Sequence, residues 1–151
     1  MKFSVNILPQ LIESDPIELD GVHAAAIRLL PQDTPVVAGT PTQVSGWGAT
    51  QFSGFNSEVL LKADVPVIDY DECQKLHQGE LHPNEICAGP QDNSTDSCLD
   101  DDGGALVYNG TLIGIATFAN SCGSDGVPGV YTNAAKYTNW IKLYSGVTPP
   151  Q

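Results

Sequence analysis

The stretch ALVYNGTLIGIATF (Ala105–Phe118) decides the fold. Two apolar runs flank the dipeptide Asn109-Gly110, and both of those residues tolerate the positive φ of a type I′ turn, whose twist matches that of paired strands. The sequence therefore predicts a β-hairpin made of Ala105–Tyr108 and Thr111–Phe118. Outward from it, Gln43–Trp47 reads as a short strand ended by Gly46-Trp47-Gly48. Val59–Ile68 alternates, with Val59, Leu61, Ala63, Val65 and Val67 on one face. Pro66 points to an edge position or a bulge there, because it cannot donate to a ladder. Gly129–Thr132 reads as a further strand. Asp69–His77 reads as a short helix with Asp69 or Asp71 as N-cap. Tyr137, Trp140, Ile141 and Tyr144 recur at i, i+3, i+4 and i+7, so a terminal helix is expected, capped by Asn133 and stopped by Gly146. Val147–Gln151 reads as a frayed tail. Many short strands and one terminal helix predict an all-β barrel or sandwich.

Composition sets the outer bounds. The chain has 151 residues, enough for one domain with a core, and its 15 glycines and 11 prolines favour turns. The net charge of −12 argues against nucleic acid and anionic membranes, which need Lys and Arg to neutralise phosphate. It suits a basic partner or simply a solubilising surface. The first 15 residues, MKFSVNILPQLIESD, make no clear signal peptide, because Asn6, Pro9 and Gln10 interrupt the apolar run. No stretch approaches the length of a membrane span. The four cysteines, Cys73, Cys87, Cys98 and Cys122, form no CxxC pair and no cluster with histidine, so disulfides and an oxidising compartment are expected over zinc. The sequons at Asn93 and Asn109 are candidate glycosylation sites and point the same way.

Several segments together resemble the trypsin-like (chymotrypsin-fold) serine proteases: VSGWGAT (Val44–Thr50), EICAGP (Glu85–Pro90), DSCLDDDGGA (Asp96–Ala105), LIGIATF (Leu112–Phe118), PGVYTN (Pro128–Asn133) and YTNWIK (Tyr137–Lys142). They follow the family's order and spacing. The resemblance implies a six-stranded antiparallel Greek-key β-barrel, the second of the family's two, with a C-terminal α-helix. In that reading residues 1–42 hold the last strand of the first barrel and the inter-barrel linker, 43–146 the barrel and helix, and 147–151 a tail. It also implies the pairings Cys73–Cys87 and Cys98–Cys122, each worth roughly 3 kcal/mol by loop closure, and an extracellular location.

The same resemblance locates the chemistry. The family reads GDSGGP where this chain has Asp100-Asp101-Asp102-Gly103-Gly104-Ala105. Asp102 thus falls at the nucleophile position, Asp100 at an oxyanion-hole position, and Asp101 at the aspartate that pairs with a new amino terminus on activation. Asn6 falls near the triad aspartate. No segment resembles the family's TAAHC-type histidine region or its IVGG-type activation site, and His23, in a linker-like segment, reads as a surface residue. The substrate pocket would comprise Asp96 at its base with Ser97, the Thr117-Phe118-Ala119 segment and the wall glycine Gly129.

Asp102 is a poor substitute for serine. A carboxylate needs no base, but its attack on an amide leads to a high-energy anhydride, and it places negative charge beside the developing oxyanion. At about 4 Å and an effective dielectric of about 20, that repulsion is about 4 kcal/mol, roughly a thousandfold in rate. An oxyanion site presents donors, and this one presents acids. The three adjacent acids also invite a hard-cation site, but neighbouring residues seldom converge on one centre and no EF-hand spacing is present, so neither metal nor cofactor is expected. The expectation is an inactive serine protease homologue that acts by binding a protein or peptide with basic residues, or another protease. Association would use the exposed inter-barrel face, with Trp140 and Ile141 as its candidate apolar residues. The alternatives are a partial product of a serine-type endopeptidase and an active protease.

Overall fold

The structure, a computed structural model, describes residues 19–50, 54–89, 101–118 and 126–145. Its strands are β1 (Arg28–Leu29), β2 (Pro41–Gly46), β3 (Leu61–Ile68), β4 (Glu85–Ala88), β5 (Ala105–Tyr108), β6 (Thr111–Phe118) and β7 (Gly129–Asn133). Helix α1 (Tyr70–Leu76) lies between β3 and β4, and helix α2 (Thr138–Ser145) follows a 3₁₀ turn at Ala134–Lys136. The pairing order is β6-β5-β2-β3-β4-β7, and β7 returns to β6, which closes a six-stranded antiparallel barrel. Closure removes the sheet edges that an open sheet would leave unpaired. β1 lies outside the barrel and pairs in parallel with the start of β6, Arg28 opposite Thr111.

The hairpin of β5 and β6 turns at Asn109 and Gly110, whose φ angles are 48° and 71°. That is the left-handed pair a type I′ turn demands. Asp69 caps α1, its carboxylate accepting from the N–H groups of Asp71 and Glu72. Such a cap satisfies donors that the first helical turn leaves open.

Three sequence expectations need correction. Pro66 lies in a strand interior to the barrel and at no bulge. It stands opposite Pro41 in the β2–β3 ladder, and the ladder bonds flanking that pair are carried by Val67 and Thr40. Asn133 caps the 3₁₀ turn through Ala135 N–H at 3.1 Å, not α2. The chain breaks helical geometry at Tyr137 (φ −121°), and α2 begins at Thr138. Trp140 and Ile141 are half-buried, and the exposed apolar residues of α2 are Leu143 and Tyr144. The proposed stop at Gly146 and the tail lie outside the described residues.

The barrel core is built by Val44, Val65, Ala88, Leu106, Ile113, Ala116 and Tyr131, one or two from each of the six barrel strands β2–β7. Gly114 permits this packing. A Cβ there would stand 2.9 Å from the Cβ of Tyr131 and 3.3 Å from the carbonyl oxygen of Thr132. A second cluster, Cys73, Leu81, Cys87 and Val130, fastens α1 to β4 and β7. The Cys73–Cys87 disulfide runs through it, with the Cα atoms 6.3 Å apart. The linker ahead of β2 is stitched to the C-terminal region. Thr138 Oγ1 donates to Leu30 O at 2.8 Å, Asn139 N–H donates to Gln32 Oε1 at 3.0 Å, and Lys136 Nζ pairs with Asp33 at 2.9 Å.

Candidate functional site

The Asp101–Gly104 segment enters β5 through a tight turn held from both sides. Gly104 N–H donates to Asp101 O at 2.9 Å, Gly103 N–H donates to Ala116 O at 2.8 Å, and Ala116 N–H donates back to Gly104 O at 2.8 Å. Gly103 has φ +85°, a conformation side chains resist. Asp102 is at the turn and exposed.

Asp101 turns inward. Its Oδ1 accepts from Gly48 N–H at 2.9 Å, 53 residues away in sequence. It also lies against the bare backbone of Gly46. The carboxylate is therefore seated on the Gly46-Trp47-Gly48 segment, where a backbone donor offsets part of its desolvation. No local pattern in the sequence pointed to this contact.

Thr117 and Gly129 come together across β6 and β7. The β6–β7 register shifts between Ala116 and Phe118. At that irregularity Thr117 Oγ1 donates to Val130 O at 2.8 Å, next to Gly129. Gly129 is buried. Beside it stands a residue the sequence reading did not assign to the site, His77. It is buried, and its Nε2 donates to the carbonyl oxygen of Pro128 at 2.9 Å, tying the end of α1 to the approach of β7. Asp96, Ser97, Asp100, Ala119, Asn6, Asn93, Cys98 and Cys122 lie outside the described residues, as does the side chain of Phe118.

Ligand atoms of Cys73, His77 and Cys87 all lie within 4.8 Å of one another. The two sulfurs are joined as a disulfide, so neither is a thiolate able to ligate a metal. The resolved electrostatic perturbations fall away from this region. His23 is exposed and bonds Asp20 at 2.6 Å. The His23 side chain, followed by the N–H groups of Val22, His23 and Ala24, holds the Asp20 carboxyl well below the usual carboxylate range. Asp33 is lowered chiefly by its hydrogen bond from Lys136, and then by Gln32. Among the described residues no helix is long and apolar enough to cross a membrane.

A family model described as Trypsin matches residues 18–141. The chain is 42% identical to Trypsin 5G1 of Aedes aegypti over 125 residues, covering 82% of this chain and 47% of that protein. It is 41% identical to Trypsin II-P29 of Gallus gallus over 106 residues, 70% of this chain and 43% of the relative. It is 38% identical to anionic trypsin of Bos taurus over 122 residues, 80% and 49% of the two chains. The solved structure of neuropsin, a serine protease expressed in the limbic system of mouse brain, superposes with a TM-score of 0.72 at 32% identity, over 79% of this chain and 53% of that one. The chain thus spans about half the length of the relatives it matches. The barrel, the order of its strands and the extent of the match agree: this chain belongs to the trypsin family of trypsin-like serine proteases.

Proposed function

We propose that this chain is a non-catalytic member of the family that acts by binding, outside the cell. The observation that carries the reading is the turn at Asp102. Asp102 is exposed on the turn that leads into β5 and that is bonded to β6, and by the resemblance to GDSGGP it takes the nucleophile position, with Asp100 at an oxyanion-hole position. Charge at the place where an oxyanion develops opposes acyl transfer. The extracellular setting is supported by the Cys73–Cys87 disulfide, since such bonds persist in oxidising compartments.

The ligand class is a peptide or protein with a basic residue, or another protease. By the family resemblance Asp96 would supply a carboxylate for a Lys or Arg side chain, and the pocket would also comprise Ser97, Thr117, Phe118, Ala119 and Gly129. The net charge of −12 favours approach of such a partner. The exposed Leu143 and Tyr144 on α2 supply apolar surface for a protein partner.

The test pairs reporter hydrolysis with cation binding. The folded chain is expected to cleave no Arg or Lys ester or amide at any concentration, and to take up benzamidine saturably, with Asp96→Ala abolishing uptake. Turnover that disappears in Asp102→Ala overturns the non-catalytic reading. Absence of benzamidine uptake overturns the basic-ligand assignment.

A further inference from the structure

The β5–β6 turn is also a sequon, Asn109-Gly110-Thr111, and the fold leaves it open. Asn109 is exposed, and its side-chain amide makes no hydrogen bond to the described residues. Its backbone is fixed instead: Arg28 Nη2 donates to Asn109 O at 2.6 Å. The same guanidinium lies 3.4 Å from where a Cβ of Gly110 would be. The amide is therefore presented to solvent from an anchored turn.

Beside the turn runs an open groove of about 680 Å³ that includes Asn109 in its rim. Pro41, Pro66 and Tyr108 give it apolar walls. Gln43 and Asp64, bonded to each other at 2.9 Å, give it polar atoms. The volume falls in the range of ligand-sized clefts, about 300–1,000 Å³. An apolar ring beside an amide and a carboxylate suits a sugar, which has C–H faces and hydroxyl or acetamido edges.

We propose that Asn109 is an N-glycan attachment site and that the two proximal N-acetylglucosamine residues lie in this groove. The occupant follows from continuity, because the residue that would carry the sugar lines the groove. In the transfer, Asn109 Nδ2 forms a bond to C1 of the first sugar of a lipid-diphosphate-linked oligosaccharide. The C1–O bond to phosphate breaks, the lipid diphosphate leaves, and the amide gives up one proton. The exposed turn then lets the glycan remain without displacing any core residue. The proposal rests on the extracellular setting proposed above.

The test separates the two. The full chain is produced behind a cleavable leader in cultured eukaryotic secretory cells, and cleavage of the leader proves entry into the lumen. Glycopeptide mass spectrometry then reads each sequon by itself, so that Asn93 cannot stand in for Asn109. Leader-cleaved chains are expected to carry glycan at Asn109, and Asn109→Gln and Thr111→Val to lose it. Thr111→Val keeps the strand's β-branching and guards against misfolding. Enzymatic release is expected to raise amide hydrogen exchange at Val107–Tyr108 and to lower Tm. Leader-cleaved chains with unmodified Asn109 overturn the attachment site. An occupied Asn109 whose release leaves exchange along the groove unchanged overturns the placement of the sugars.

Discussion

The carboxylate of Asp101 occupies the space a side chain at Gly46 would need: a Cβ built there stands 1.9 Å from Asp101 Oδ1. The turn that carries Asp102 is in this way keyed to a strand more than fifty residues earlier.

Gly46→Ala is expected to push the Asp101 carboxylate off its seat and break its bond from Gly48 N–H. Overpacking of this kind costs about 1–3 kcal/mol. Urea unfolding of Gly46→Ala, Asp101→Ala and the double variant reads the coupling directly. If the two residues share one seat, the glycine substitution costs much less in the Asp101→Ala background. Additive losses would show that Gly46 matters for another reason.

Gly114→Ala strains a less forgiving site, because the nearest atoms are the Cβ of buried Tyr131 and the backbone carbonyl of Thr132. Neither can swing away as a side-chain tip can. A loss of about 1–3 kcal/mol is expected, with a lower midpoint and an unchanged denaturant slope. A neutral result would mean that β6 and β7 separate at little cost.

Asp33 supplies a pH dependence. Its folded-state pKa lies below the ordinary value of 3.8, chiefly through the hydrogen bond from Lys136. A lowered carboxylate contributes stability that is present above its unfolded pKa and lost as pH falls through the folded one. Asp33→Asn is therefore expected to lower the neutral plateau of Tm slightly, since exposed pairs contribute little, and to flatten the fall on acidification through the carboxylate range by the same small amount. Identical acid limbs for the two proteins would assign no weight to the pair.

The elements legible in the sequence are those set by strong local chemistry. Asn109-Gly110 sets its own backbone angles, and Asp69 bonds N–H groups only two and three residues ahead, so the hairpin and α1 are legible without tertiary contacts. β1 and β4 were not. β1 has two residues and exists through parallel pairing to Thr111 and Leu112, while β4 has four residues and is set by its ladder to Gly129–Thr132. Neither is long enough for a period to show. The apolar period starts at Tyr137 and so points Asn133 to α2, yet an Asn cap reaches only the next residues and serves the 3₁₀ turn. In the candidate site, motif resemblance picked out Asp101 and Asp102. Motif spacing does not reveal that Asp101 is held by Gly48 or that His77 grips Pro128, because both partners are brought near by the barrel.

The stitching of the linker to the C-terminal region bears on how the chain leaves the ribosome. Leu30, Gln32 and Asp33 find partners 103 to 108 residues later, at Lys136, Thr138 and Asn139. Contacts of such separation form late, after long loops have closed. A nascent chain must carry β2 and β3 without β7 while residues 69–128 are made. Its apolar strand faces are uncovered for that interval, and holdase chaperones would find their targets there.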